Sequence, residues 1–169
     1  AEYALSTGTV RKAVDALVSE GILERQQGRG TFVRRPQFQS SLFRFFRFQG
    51  PSGERQVPQS RILTVESVAA PSAVSEALGL APEAQVIRIV RTRLFDVQPL
   101  LAEEIWLPRA RFQALLDIDL AAQGPLLYPV YESVCGQVVA SAEETLTAES
   151  VNAVYARLLQ VPVNSPVVV

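Results

Sequence analysis

Two alternating runs constrain the fold more than any other feature of this 169-residue chain. QVIRIVRTRLF, from Gln85 to Phe95, and LLAEEIWLP, from Leu100 to Pro108, are the two runs, with the turn-like DVQPLL where they meet. Period-two alternation over that length specifies strands, and the short connection makes them an antiparallel hairpin. On the first run Ile87, Ile89, Arg91, Arg93 and Phe95 share a face; on the second, Leu101, Glu103, Ile105 and Leu107 do. A hairpin centred near Val97 sets Arg91 opposite Glu103. One reading is a cross-strand ion pair at the edge of a sheet. The other is a pocket whose guanidinium groups grip an anion such as a carboxylate or phosphate, with Glu103 orienting them. Two cations against one carboxylate leave a positive excess that an anionic ligand could neutralise.

Around the hairpin the pattern alternates strand and helix. RILTVESVAA reads as a strand. PSAVSEALGL reads as a short helix with Val74, Ala77 and Leu78 on one face and Gly79 at its end. RARFQALLDIDL is helical, and GPLLYPVYESVCG leads into a short helix that Gly136 ends. QVVASAEETL reads as a strand. TAESVNAVYARLLQ reads as an amphipathic helix with Val151, Val154, Tyr155 and Leu158 inward, and VPVNSPVVV opens a strand. The expected class is α+β, a mainly antiparallel sheet with flanking helices.

The first third differs. Residues 1–61 carry a net charge of +5 and residues 62–169 a net charge of −6, so two modules are expected, one of which could meet a polyanion. In STGTVRKAVDALVSEGIL, Ser6 is placed to cap a helix, Val10, Ala13, Val14 and Leu17 fall on one face, and Gly21 suits the helix stop. Ile22–Gln27 and Thr31–Val33 are strand-like, and Gly28-Arg29-Gly30 joins them in a hairpin with a cationic tip. An ordinary amphipathic helix plus hairpin would read the same way piece by piece; helix, glycine stop and basic hairpin in direct succession are more specific. Such a helix can enter a major groove while the hairpin tip reaches an adjacent minor groove.

Between the modules, Pro36 ends the hairpin strand's pairing, Gln37–Ser41 is a polar linker, and SLFRFFRF, Ser41 to Phe48, alternates aromatics with arginine. That run fits a strand buried on both sides, or less readily an RNA-stacking surface. Gln49–Ser60, with Gly50, Pro51, Gly53 and Pro58, reads as a surface loop.

STGTVRKAVDALVSEGILERQQGRGTFV resembles the C-terminal half of the winged helix-turn-helix domain of GntR-family bacterial repressors. The matching residues are Ser6, Thr9, Val10, Arg11, Ala13, Leu17, Glu20 and Gly21, then Gln27, Gly28, Gly30, Thr31 and Val33. The resemblance implies that Thr9 and Arg11 contact operator DNA, with Ser6, Thr7 and Lys12 in the same first turns, and that Gln27, Gly28, Arg29 and Gly30 form the wing tip. Thr7 stands where the family usually has arginine. By the same resemblance AEYAL is the end of a second helix and the first helix is missing, so this chain is expected to bind DNA weakly or not at all. From about Arg61 onward the chain resembles the UTRA effector-binding domain of the HutC subfamily, through VAAPSAVSEALGL, RTRLFDVQPLLAEEIWLP, LLYPVYE and AEETLTAESVNAVYARLLQVPVNSPV. That resemblance implies an effector pocket lined by Arg91, Arg93, Glu103 and Tyr128, a small anionic effector and a homodimer. It also implies further C-terminal strands in the family domain. Leu126 stands where the family has serine. The domains are thus expected at 1–35 (partial winged helix), 36–60 (linker and first strand) and 61–169 (UTRA).

Several function classes are excluded or disfavoured. There is no histidine and one cysteine, which removes Ser-His-Asp and Cys-His catalysis, makes a transition-metal site improbable, and calls for no cofactor. A single thiol fits a reducing, cytoplasmic setting. No apolar run approaches the ~18–20 residues that span a membrane, and the first residues show no leader pattern. Glu103-Glu104 and Glu143-Glu144 are adjacent strand positions, which face opposite sides and cannot work as an acid–base pair. Trp106, opposite to Glu103, reads as core or dimer surface, and Cys135 as a small buried apolar residue. The expected function is a ligand-responsive, DNA-binding transcriptional regulator rather than an enzyme. A small lyase of the chorismate-lyase type, whose fold the UTRA domain resembles, and an effector-binding dimerisation fragment without DNA binding are the alternatives.

Overall fold

A computed structural model describes residues 6–20, 22–33 and 57–169. Gly21, the linker and aromatic run of residues 34–48, and residues 49–56 of the expected loop lie outside the described residues. The chain divides into two compact units, Ala1–Arg47 and Phe48–Val169.

In the first unit, helix α1 spans Thr7–Ser19. The Ser6 hydroxyl caps it, accepting from the Thr9 N–H at 3.1 Å and lying 2.9 Å from the Thr9 hydroxyl, which satisfies an orphan donor of the first turn. No side chain of α1 is buried: Val10 is 48% and Leu17 36% exposed. Strands β1 (Leu23–Gln26) and β2 (Gly30–Val33) pair antiparallel with Leu23 opposite Val33 and Gln26 opposite Gly30. The turn needs Gly28 at φ +73° and Gly30 at φ +121°, the second a conformation that a side chain all but forbids. An Arg25–Asp15 ion pair ties β1 to α1; both side chains are about half exposed, so it contributes at most about 1 kcal/mol.

The second unit is built on a three-stranded antiparallel sheet in the order β3-β4-β5: β3 is Gln59–Ala69, β4 Gln85–Phe95 and β5 Gln98–Pro108. The β4–β5 turn is Asp96-Val97, between the paired Phe95 and Gln98, with Asp96 at φ +53°. Aspartate is one of the few side chains that tolerates this region. The strand expected to start at Arg61 already begins at Gln59, so the loop reading of Pro58–Ser60 is corrected: Pro58 is fully buried and Ser60 pairs with Arg93.

Helix α2 (Ser72–Ala77) follows β3. It turns Ser75 inward, whereas Ala77 and Leu78 of the expected apolar face are exposed. After β5 come α3 (Arg109–Phe112), two 3-10 segments (Gln113–Asp117 and Leu120–Gln123) and α4 (Leu127–Cys135), which Gly136 ends at φ +65°. These cover one sheet face. Ile87, Ile89 and Leu107 from the sheet meet Leu115, Leu120, Leu127, Val130 and Tyr131 to form the core. Cys135 packs against this cluster, partly buried, and burial pushes its thiol pKa up.

Two expectations fail near the C-terminus. Residues 137–147 form no strand; the strand there is β6, Ala148–Ser150, paired with β7, Pro166–Val168. Helix α5 begins only at Ala153. Its cap is Asn152, whose side chain accepts from the Val154 and Tyr155 N–H groups at 3.0 and 3.1 Å. Val151 and Ala156 are buried, and Val154 is 57% exposed rather than inward.

Candidate functional site

The sheet face that carries the core changes character along β4. Ile87 and Ile89 are packed under the helices, and the next residues on the same face are Arg91 and Arg93. Both are buried, Arg91 to 6% and Arg93 to 0% exposure. Arg91 lies opposite Glu103 because the β4–β5 register shifts by one residue between Arg93 and Leu94; the Asp96-Val97 turn alone, with Phe95 opposite Gln98, would set Arg91 opposite Ala102. The Arg91 Nε donates to the Glu103 carboxylate. Arg93 Nη1 lies 3.9 Å from the other carboxylate oxygen, and its Nη2 donates to the Pro58 carbonyl at 3.3 Å. One carboxylate thus serves two buried guanidinium groups. The Arg91 Nη1 is buried and has no hydrogen-bond partner among the described residues. Burial and the neighbouring Arg91 cation hold the Arg93 pKa down to about 10, so it remains charged at neutral pH.

Helix α4 forms the aromatic side of this region. Tyr128 and Tyr131, three residues apart, share a helix face, with ring centroids 6.0 Å apart and edge-on; Phe112 meets Tyr131 edge-on at 5.2 Å. Burial pushes both tyrosine pKa values up, with Glu103 adding to the rise and Arg91 opposing it. Arg91, Arg93, Glu103 and Tyr128 therefore come together in space, although they come from three elements. Sequence reading missed Ser60, taken as loop. Its strand pairs it with Arg93, on the face that also carries Ile62 opposite Arg91, and its hydroxyl is buried without a partner. The alternation of Pro58, Ser60 and Ile62 was the available signal.

The opposite face of the same strands carries a separate cluster. Arg88 bonds Glu66 at 2.8 Å and also pairs with Glu104, and it lies over the Trp106 ring, 5.6 Å from the centroid. Those carboxylates raise the Arg88 pKa. Tyr155 of α5 donates to Glu104 at 2.8 Å. Trp106 is thus a half-buried stacking partner for Arg88. Glu103 and Glu104 do face opposite sides and serve different arginines.

In the first unit Thr7, Thr9, Arg11 and Lys12 fall in the first two turns of α1, Ser6 caps it, and Gln27, Gly28 and Arg29 form the β1–β2 turn that Gly30 closes; all are exposed. Ser6 and Thr9 are already engaged with one another, whereas Arg11 and Lys12 enter no ion pair among the described residues. No group of residues suited to holding a metal ion, and no helix long and apolar enough to cross a membrane, occurs among the described residues.

A helix and basic wing, joined in one chain to a sheet unit with a buried cationic site, define the class of ligand-sensing transcriptional regulators. The chain belongs to that class through the UTRA family: residues 53–169 match the UTRA domain, and residues 1–33 match bacterial regulatory proteins of the gntR family. It is 28% identical over 167 residues to the mannosyl-D-glycerate transport/metabolism system repressor MngR of Escherichia coli K12, covering 98% of this chain and 68% of that protein. It is 34% identical over 117 residues to the HTH-type regulator YurK of Bacillus subtilis 168, covering 68% of this chain and 48% of YurK. The chain therefore spans about two thirds and about half of these relatives. The ligand-binding domain of a GntR-family regulator from Bordetella bronchiseptica superposes with a TM-score of 0.60 at 27% identity, over 68% of this chain and 78% of that one. PhnF of Mycobacterium smegmatis, at 21% identity, shares the fold with a TM-score of 0.60 over 99% of this chain and 72% of its own. The family consists of DNA-binding transcriptional regulators, not enzymes.

Proposed function

We propose that residues 61–169 form the sensor of a homodimeric, cytoplasmic regulator and bind a small anionic effector through Arg91, Arg93, Glu103 and Tyr128. Residues 1–35 supply part of its operator-binding surface, and residues 36–60 supply the linker and lead into the sensor's strand β3, which starts at Gln59. The observation that carries this reading is the buried Arg91 guanidinium, whose Nε is held by Glu103 while its Nη1 has no hydrogen-bond partner among the described residues. Burying a cation is costly unless it is paired, and an anionic ligand would complete the pairing with bidentate donors already held in place. Tyr128 offers a hydroxyl and an aromatic edge beside the same point. In DNA recognition, Thr9 and Arg11 with Ser6, Thr7 and Lys12 contact the major groove. Gln27, Gly28, Arg29 and Gly30 carry a cation toward the adjacent minor groove. Effector binding acts on the operator affinity through the relative placement of paired modules.

Two relatives are named for mannosyl-D-glycerate metabolism and fructoselysine utilisation, and both compounds carry a carboxylate. A thermal-shift screen should therefore span sugar acids, sugar–amino acid conjugates, sugar phosphates and simple organic acids. A selective ligand at 100 times its Kd raises stability by about 2.7 kcal/mol. Arg91→Ala is expected to abolish the shift given by the best hit. An unchanged shift removes Arg91 from the site.

A further inference from the structure

We infer that Ser60 is a further ligand-contacting residue of the anion site, whose hydroxyl is held unpaired in the free protein so that a bound anion can accept from it. The inference rests on the reading of Arg91 and Arg93 as an anion site and adds a donor from a third strand. Three observations converge. Ser60 is the cross-strand partner of Arg93, so its Cβ lies roughly 5 Å from that of the arginine on the same face. Its Oγ is buried and makes no hydrogen bond among the described residues. The Nη1 of Arg91, diagonal to it on that face, is likewise buried and unpaired.

Unpaired buried polar atoms are uncommon, and each costs the free protein its lost hydration. Two on one sheet face, from neighbouring strands, have a shared remedy: an oxygen-bearing anion between them accepts from both. A serine hydroxyl also supplies what a third guanidinium could not. It is a short neutral donor that adds no charge to the two cations already confined there, and it can turn to follow the oxygen. The edge strand β3 would thereby become part of the binding surface, with its entry fixed by the buried Pro58, whose carbonyl accepts from Arg93.

This arrangement gives a signature that a structural serine lacks. Removing an unpaired buried hydroxyl relieves a cost in the free protein but deletes a bond in the complex, so stability and affinity should move in opposite directions. The test compares the whole chain with its Ser60→Ala and Ser60→Thr variants. Thermal unfolding is measured without ligand, and arginine Nε–H resonances are followed by NMR during titration with inorganic phosphate and, separately, acetate. The expected result is that Ser60→Ala melts at or a few degrees above the parent yet binds the tighter of the two anions about tenfold more weakly, while Ser60→Thr, which keeps the hydroxyl, binds within about threefold of the parent. Equal affinity of Ser60→Ala and the parent, or a lower melting temperature with unchanged affinity, overturns the role of Ser60 and leaves the arginines as the site. Failure of the parent itself to bind either anion overturns both the anion site and the place of Ser60 in it.

Discussion

Glu103 is the residue on which the buried charge depends. Its carboxylate faces two guanidinium groups that are almost wholly removed from water. Glu103→Gln keeps the shape and removes the counter-charge. Breaking a buried pair costs about 3–5 kcal/mol; because the Glu103 side chain is 29% exposed, a loss of about 2–3 kcal/mol is expected in urea unfolding. Added phosphate should restore part of it by taking the place of the carboxylate. A variant as stable as the parent would mean that the arginines are satisfied by other groups. Tyrosine ionisation provides a second check. Tyr128, Tyr131 and Tyr155 all have pKa values raised by burial, so the folded chain keeps phenolic protons that the unfolded chain releases near pH 10. Their contribution is complete below pH 10 and is lost as the pH rises above it. Arg93, with its pKa held down to about 10, runs in the opposite sense over the same interval, but one group opposes three. Stability should therefore fall above pH 10, with the ultraviolet signal of phenolate appearing together with loss of circular dichroism. Reversible ionisation of all the tyrosines near pH 10 in the folded chain would contradict this.

At the scale of elements, the two units differ in what holds them. Strand β4 has ten of its hydrogen-bonded positions paired on each side and most of its side chains buried, whereas α1 buries no side chain. A thirteen-residue helix without a packed face is marginal. Amide exchange is expected to be slow in β4 and fast throughout α1; comparable protection would mean that α1 has a packed partner. Helix α5 is tied to the sheet by the Tyr155–Glu104 bond, and Tyr155→Phe should cost about 1–2 kcal/mol in unfolding free energy, against no change if that bond is incidental. The hairpin β4–β5 was legible in the sequence because alternation marks both strands and a tight turn joins them, whereas the one-residue register shift between Arg93 and Leu94, which brings Arg91 opposite Glu103 rather than Ala102, has no signature in the local pattern. The failures share a cause, which is that local pattern does not name a partner. QVVASAEETL has valines and alternation, but among the described residues no strand pairs with residues 137–146. A strand exists only as one side of a ladder. TAES offered an earlier helix start than the one observed, yet the Thr147 hydroxyl bonds Glu149 instead, and Asn152 makes the capping bonds. Ser60 was hidden because a Pro-Gly-rich approach looks like loop until pairing with Arg93 is seen.

The whole molecule combines the sequence marks of its family with a particular arrangement of buried charge. The family assignment rests on matches covering residues 1–33 and 53–169, and the charge arrangement on the three strands of the second unit. Coupling between such sites is typically worth 1–3 kcal/mol, or about 5- to 150-fold in affinity. The effector should therefore change the operator affinity of the full-length regulator within that range, and Arg91→Ala should remove the effect without changing affinity in its absence. The central claim is narrower and more directly testable: the anion sits against Arg91 and Arg93. The decisive measurement is a crystal structure of the chain with the strongest ligand from the anion screen. An acidic group of that ligand is expected within hydrogen-bond distance of the Arg91 and Arg93 guanidinium groups, with Tyr128 beside it. A ligand bound elsewhere, with the Arg91–Glu103 pair undisturbed and nothing against Arg93, would contradict it.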